Sequence, residues 1–381
     1  MSIVYFFYFA AVGAMTPYMT VYYHNLGLSG KEISVLMSAL PVLLFVSQPI
    51  FAPLADRAGH RGRLLSRMML AAAVSGLLLA VGKTFWALLP MVFLWSFISG
   101  PIAPLCDSIA LGEVAATGTS YPRLRLWGSI GFLLVTTIAG RLYNSIDLRW
   151  SFVIYAVLLV VAVAAAQRLP ADGVFASRPV FGQMRQALKN GNLVVFLILS
   201  SILTLANAAH AAFFSIHFQS IGGSSGQLGL AWALAAMMEV PVWLVLGRVT
   251  DRFGAAPLMT FGALAYGVRY FLTGMVTSPT VLLGLQLSQG LTMAVYFPTS
   301  VVFMGELMPK ELRTSGQALL SLVNGGLATV VGNLAAGWIV DRWGTGLLYE
   351  VNGGVATLAG LGFAIFLLGR GAGRKEEESL G

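Results

Sequence analysis

Asp56-Arg57-Ala58-Gly59 closes one long apolar run, and Asp251-Arg252-Phe253-Gly254 closes another, 195 residues further along the chain. Two other landmarks recur at almost the same offset. Gly112-Glu113 is matched by Gly305-Glu306 after 193 residues, and Gly140 by Gly337 after 197 residues. Each member of a pair holds the same place in its half, so the 381-residue chain reads as a duplication. What was duplicated is a set of apolar segments, each of about 20 residues and so long enough for a helix through a hydrocarbon core of roughly 30 Å. Twelve are expected, near 3–23, 33–55, 64–82, 85–111, 122–143, 150–168, 192–218, 227–247, 257–276, 279–304, 314–340 and 347–369. The expected architecture is an all-α integral membrane protein with twelve transmembrane helices in two pseudo-symmetric six-helix bundles. The bundles cover 1–168 and 191–370, with a cytoplasmic linker at 169–190 that carries Pro170, Gly173 and Pro179, and a cytoplasmic tail at 371–381.

Composition agrees with that reading. The chain is 57% hydrophobic and 10% charged, where a soluble domain carries about 25% charged residues. The net charge of +8 is not a nucleic-acid patch, because its distribution is that of a membrane protein. With the 56–67 loop placed inside, that side collects most of the Lys and Arg, including Arg57, Arg61, Arg63, Arg67, Arg248 and Arg252. The outer loops hold Lys31, Lys83, Arg141, Arg149 and Arg342. This positive-inside asymmetry puts both termini in the cytoplasm of a multi-pass protein of the bacterial cytoplasmic (inner) membrane. The first apolar run lacks a basic leader and a small-residue cleavage site, so it reads as a span. The lone Cys106 excludes an intramolecular disulfide and a cysteine-cluster metal site.

Four charges fall inside the apolar runs: Asp107, Arg125, Glu239 and Arg269. Each costs roughly 2.5–3.5 kcal/mol to insert at bilayer depth, so each points to a functional site with a partner. Depth along consecutive helices pairs Asp107 with Arg125 and Glu239 with Arg269, as two ion pairs serving proton coupling. Glu239 precedes Pro241, which should bend its helix, and its carboxyl is placed to bind and release a proton. A static bridge is the competing reading of both pairs. Asn207, His210, Phe214 and His217 follow i, i+3, i+7 and i+10, one helical face. Asn207 and His210 are candidate substrate-binding residues together with Tyr18, Tyr22, Gln289 and Tyr296. Asp56, Arg57, Glu113, Arg123, Asp251 and Arg252 lie at the inner ends of the spans, where gating contacts are expected. Asn324 and Asn333 stand among glycines and suit close helix packing. No third ligand accompanies the histidines, so neither metal nor cofactor is expected.

Ala55-Asp56-Arg57-Ala58-Gly59-His60-Arg61, its echo at 251–254 and the span pattern resemble the major facilitator superfamily. Pro104-Leu105-Cys106-Asp107, Arg123-Leu124-Arg125-Leu126-Trp127-Gly128-Ser129, Asn207-Ala208-Ala209-His210-Ala211-Ala212 and Glu239-Val240-Pro241 are similar to its phenylpropionate permease branch, related to lactose permease and the nucleoside–proton symporters. The resemblance implies the major facilitator fold and transport by alternating access. One departure stands out: where members of that branch often carry histidines in span ten, this chain has Gln289-Gly290-Leu291-Thr292-Met293.

The expectation is a secondary active transporter, not an enzyme, coupling proton entry to uptake of a small organic solute. The two arginines and the aromatic supply favour an aromatic carboxylate; sugar and nucleoside symport are the alternatives. No Walker-type motif is present, so ATP is not the direct energy source. Efflux is the other alternative, though the Gly-Pro-x-Gly-Gly-like stretch of exporters is missing from span five. A membrane enzyme would need a nucleophile–base pair or a metal constellation, and the one set on offer, His210 and His217 with Glu239, lacks the order and spacing for either. Partners are therefore the solute, protons and the bilayer, for a protein expected to be monomeric.

Overall fold

The computed structural model describes residues 1–57, 60–169, 188–309 and 312–380, without the side chains of 52–53, 55–57, 314 and 370–380. All regular structure among the described residues is helical. The helices are α1 (Ser2–Asn25), α2 (Gly30–Arg57), α3 (Arg61–Leu79), α4 (Phe85–Ser99), α5 (Ile102–Thr117), α6 (Tyr121–Leu142), α7 (Trp150–Ala166), α8 (Gly191–Ser220), α9 (Ser225–Phe253), α10 (Ala255–Met275), α11 (Pro279–Leu285), α12 (Met293–Leu307), α13 (Arg313–Leu320) and α14 (Thr329–Leu380). A 3₁₀ turn, Gln286–Gly290, separates α11 from α12, and a π-helical stretch, Ser321–Ala328, joins α13 to α14.

Three expected spans are therefore interrupted. The run at 85–111 breaks between α4 and α5 at Gly100-Pro101, where proline has no N–H to continue the helical ladder. The run at 279–304 breaks at the 3₁₀ turn, and that at 314–340 passes through the π stretch. Among the described residues, eight helical runs are long and apolar enough to cross a membrane. Length and apolarity alone thus fall short of twelve. Ser315–Gly369 is a single run of 55 residues, and α7 has only 17. Within α14, Gly344 takes φ 78° and ψ 178°, a left-handed conformation that suits glycine and divides the run.

By backbone proximity the chain forms two compact units. One holds α1–α7 with Ala212–Ala236, which is the end of α8 and the start of α9; the other holds the rest of α8 and α9 with α10–α14. In the first unit α1 packs along α6 and α7. Small residues let the backbones approach: a Cβ on Gly13 would lie 2.9 Å from Phe132 O, and one on Gly131 would run into Phe6 O. The Thr136 hydroxyl donates to Gly13 O at 3.1 Å, and Tyr143 donates to Ala14 O at 3.0 Å. In the second unit α10 lies against α14 and α12. There Gly274 meets Gly346 O and Gly262 meets the Tyr296 backbone, each at contact distance for an added Cβ. Large apolar side chains point outward, among them Trp86, Leu244 and Leu368 at 77%, 79% and 75% exposure. In water such a surface would aggregate; against lipid it is the expected exterior.

Candidate functional site

Each of the two units carries a cluster of charge within its apolar helices. In the first, α1 presents Tyr5 and Phe9, four residues apart and so on one face. Tyr5 donates to Asp107 Oδ1 at 2.6 Å, and Tyr121, at the start of α6, donates to the same oxygen at 3.0 Å. The Arg125 guanidinium lies 3.9 Å from the Phe9 ring centroid and 5.6 Å from that of Tyr5. Gly128 makes room for this stack, since a Cβ there would sit 2.7 Å from Phe9 and 2.8 Å from Arg125 Nη1. Asp107 and Arg125 thus share a site without forming the expected direct ion pair. The Tyr5 side chain gives its hydroxyl to the acid and its ring to the base. Both charges are half-buried, and among the described residues the Arg125 N–H groups meet no acceptor.

The second cluster centres on Arg269 of α10, 2% exposed. Its Nη2 donates to Gln286 Oε1 at 2.8 Å, and its Nη1 donates to Thr292 Oγ1 at 3.1 Å and to Gln289 Oε1. Gln289 in turn donates from Nε2 to Glu239 Oε1 at 3.1 Å. Here too the expected direct pair is replaced by a relay, because the 3₁₀ turn inserts an amide between carboxylate and guanidinium. Beside it His210 Nδ1 is 3.1 Å from Tyr349 Oη, with the His210 ring 5.4 Å from that of Tyr270. Tyr270 donates to Asn207 Oδ1 at 3.2 Å. Asn207, His210 and Gln289 therefore fall in one polar neighbourhood with Arg269 and Glu239.

Other candidates are placed elsewhere. Tyr18 is fully buried in packing, donating to Thr136 O at 2.7 Å and meeting Tyr143 edge to face. Tyr22 donates to Gly82 O at 3.2 Å and borders a cavity of about 440 Å³ with Lys83, Asp147, Arg149 and Gln219. At that cavity, hydrogen bonds from the Arg149 side chain and backbone N–H hold the Asp147 carboxyl below its ordinary value. Tyr296 packs on Tyr266, and its hydroxyl has no hydrogen-bond partner among the described residues. Of the gating candidates, Glu113 binds the Met1 ammonium at 3.0 Å, while Arg123, Asp251 and Arg252 are exposed. The side chains of Asp56 and Arg57 lie outside the described residues.

Sequence reasoning missed Tyr5, Tyr121, Gln286 and Thr292. The available signal was weak, a phenol or an amide in an apolar run being far cheaper to insert than a charge.

The MFS_1 like family matches residues 1–351. Maltose permease of Geobacillus stearothermophilus is 29% identical over 349 residues, 90% of this chain and 87% of the relative. The probable 3-phenylpropionic acid transporter of Escherichia coli (strain K12) is 26% identical over 360 residues, 90% and 91% of the two chains. The crystal structure of the nucleoside transporter NupG superposes with a TM-score of 0.85 at 17% identity, covering 96% of this chain and 98% of that one, which establishes a shared fold. With the family match spanning all but the last thirty or so residues, this chain belongs to the MFS_1 like family of major facilitator membrane transporters.

Proposed function

We propose that the protein is a proton-coupled symporter of the cytoplasmic membrane that takes up a small aromatic carboxylate by alternating access, its twelve spans forming two six-helix bundles. The observation that carries the cargo class is Arg125. Its half-buried guanidinium lies on the Phe9 and Tyr5 rings, and its N–H groups meet no acceptor among the described residues. A guanidinium is matched by a carboxylate, which can accept two parallel hydrogen bonds, and the flanking rings suit an aromatic body. The likeness to the 3-phenylpropionic acid transporter supports the same class. Glu239, two residues before the helical Pro241, is the proton-carrying acid in this reading. One proton accompanying one monovalent anion makes transport electroneutral.

A second reading, uptake of a neutral hydroxylated solute, is favoured by the phenols and carboxamides around Arg269 and by the likeness to maltose permease. The two are separated in proteoliposomes with an imposed pH gradient, using labelled 3-phenylpropionate and maltose. Accumulation of 3-phenylpropionate that is lost in Glu239→Gln and does not change with membrane potential supports the first. Accumulation of maltose, enhanced by an inside-negative potential worth about 2.3 kcal/mol per charge per 100 mV, replaces it with the second.

A further inference from the structure

Gln289 occupies a position that the pairing of charges alone does not explain. The 3₁₀ turn that carries it lies directly on the α9 backbone. A Cβ on Gly290 would be 2.9 Å from Met238 O and 3.0 Å from Val242 Cγ2, so the turn touches α9 on either side of Glu239. Chemistry fixes the orientation of the amide. A guanidinium has only donors and an ionised carboxylate only acceptors. The Gln289 oxygen must therefore face Arg269 and its nitrogen Glu239, as the hydrogen bonds show. The second amide hydrogen points to Met293 Sδ at 3.4 Å.

We propose that Gln289 is the positioning residue that passes the protonation state of Glu239 to Arg269, so that a proton on Glu239 readies Arg269 to receive the anionic cargo at a step separate from its contact with Arg125. This rests on the reading of Glu239 as the proton-carrying acid. With Glu239 ionised, the row of guanidinium, amide and carboxylate is neutral and the amide is pulled from both ends. A proton arriving on Glu239 removes the pull at the nitrogen end and leaves the row with one net positive charge. Arg269 is then a buried cation held by three neutral acceptors, with its Nε lacking a hydrogen-bond partner among the described residues. Burial of an uncompensated charge is costly, and a cargo carboxylate restores neutrality. The order is proton first and anion second, one to one. On release of the anion, the positive Arg269 drives the proton off Glu239 and the amide returns to its place. Among the described residues, the ionisable neighbours that face this row include Tyr266, within electrostatic reach of both Glu239 and Arg269, and Tyr270 and Tyr349 beside Arg269.

The test is an infrared pH titration of the reconstituted protein, in which the protonated-carboxyl band lost in Glu239→Gln reports Glu239. Gln289→Met keeps the side-chain length but cannot donate to the carboxylate, so half-protonation should move up by about one pH unit, tenfold in proton affinity. Gln289→Glu offers Arg269 a competing carboxylate and should move it further in the same direction. In proteoliposomes, Gln289→Met should lose gradient-driven accumulation of 3-phenylpropionate, with the pH at half-maximal initial uptake moving in step with the carboxyl band. An unmoved titration in both folded variants, whatever their thermal stability, overturns the relay and leaves Gln289 a packing residue. A wild-type protein with no titrating band assignable to Glu239 overturns the proton-site reading itself, and the relay with it.

Discussion

Gly13→Ala tests whether the N-terminal charge cluster depends on the close approach of α1 to α6. Tyr5, Phe9 and Gly13 stand at i, i+4 and i+8, so one face of α1 carries the acid's donor, the base's shelf and the contact that sets their distance. A Cβ on Gly13 would sit 2.5 Å from Thr136 Oγ1, 2.9 Å from Phe132 O and 3.2 Å from Phe132 Cα, where ordinary contact begins at 3.4 Å. The hydroxyl must retreat by about 0.9 Å and the backbone by about 0.5 Å, differences taken from those contacts. Retreat of Thr136 breaks its 3.1 Å bond to Gly13 O. If α1 itself moves by the larger amount, the 2.6 Å bond from Tyr5 to Asp107 stretches to about 3.5 Å, the edge of hydrogen bonding. Overpacking of this kind costs about 1–3 kcal/mol. The assay pairs thermal unfolding of the purified protein with 3-phenylpropionate uptake. Gly305→Ala, a helical position with nothing within 4 Å, is the control and should be neutral or slightly stabilising. Gly13→Ala should lower the unfolding midpoint and reduce uptake. A variant as stable and as active as the wild type would show that the α1–α6 approach does not set the geometry of the cluster.

Tyr5→Phe removes the shorter of the two bonds to Asp107 and should impair uptake more than Tyr121→Phe, whose bond is 0.4 Å longer (2.6 against 3.0 Å); bonds to charged groups are worth about 1.5–3 kcal/mol. Equal effects on initial rates would argue against Asp107 reading Tyr5 in particular. Asn324→Ala removes the carboxamide that bonds Ser200 at 3.1 Å and accepts from Ser201 at 3.4 Å, at a cost of about 0.6 kcal/mol. Hydrogen exchange over Ser321–Ala328 should quicken, and an unchanged rate would mean the π stretch is held by other contacts. Asp147→Asn should abolish an acid-dependent loosening of the 143–149 turn. Because Arg149 depresses the carboxyl, its contribution is present above the unfolded value and lost as pH falls through the folded one. Proteolytic nicking of the turn at low and neutral pH measures this, and equal acid sensitivity in wild type and variant refutes it.

The four charges were legible because nothing in an apolar run conceals them, and the all-helical membrane class followed from the length of those runs. Their partners were not legible. Consecutive helices at similar depth suggested direct ion pairs, yet Tyr5 and Gln289 intervene, and neither differs in kind from many other phenols and amides in the chain. Helix interruptions divide in the same way. Pro101 announces the break before α5 and Gly344 the one within α14, but the Gln286–Gly290 turn contains no proline. Its cause lies in the neighbouring helix. Gln286, Gln289 and Thr292 are spaced by three, and on an α-helix of 3.6 residues per turn each step of three falls about 60° short of a full turn. Across the set, that drift would carry the last side chain about 120° away from the first. A 3₁₀ geometry of three residues per turn eclipses positions i and i+3, which brings Gln286 and Gln289 onto one face, and Thr292, just past the turn at φ −101° and ψ −90°, completes the set around one guanidinium. Arg269 needs those acceptors because it is buried, and its demand offsets the poorer backbone hydrogen bonds of the 3₁₀ turn. Replacing Arg269 by a neutral residue of similar length should therefore allow the turn to relax toward α-helix, a dependence between two helices that no local reading of residues 279–307 could contain.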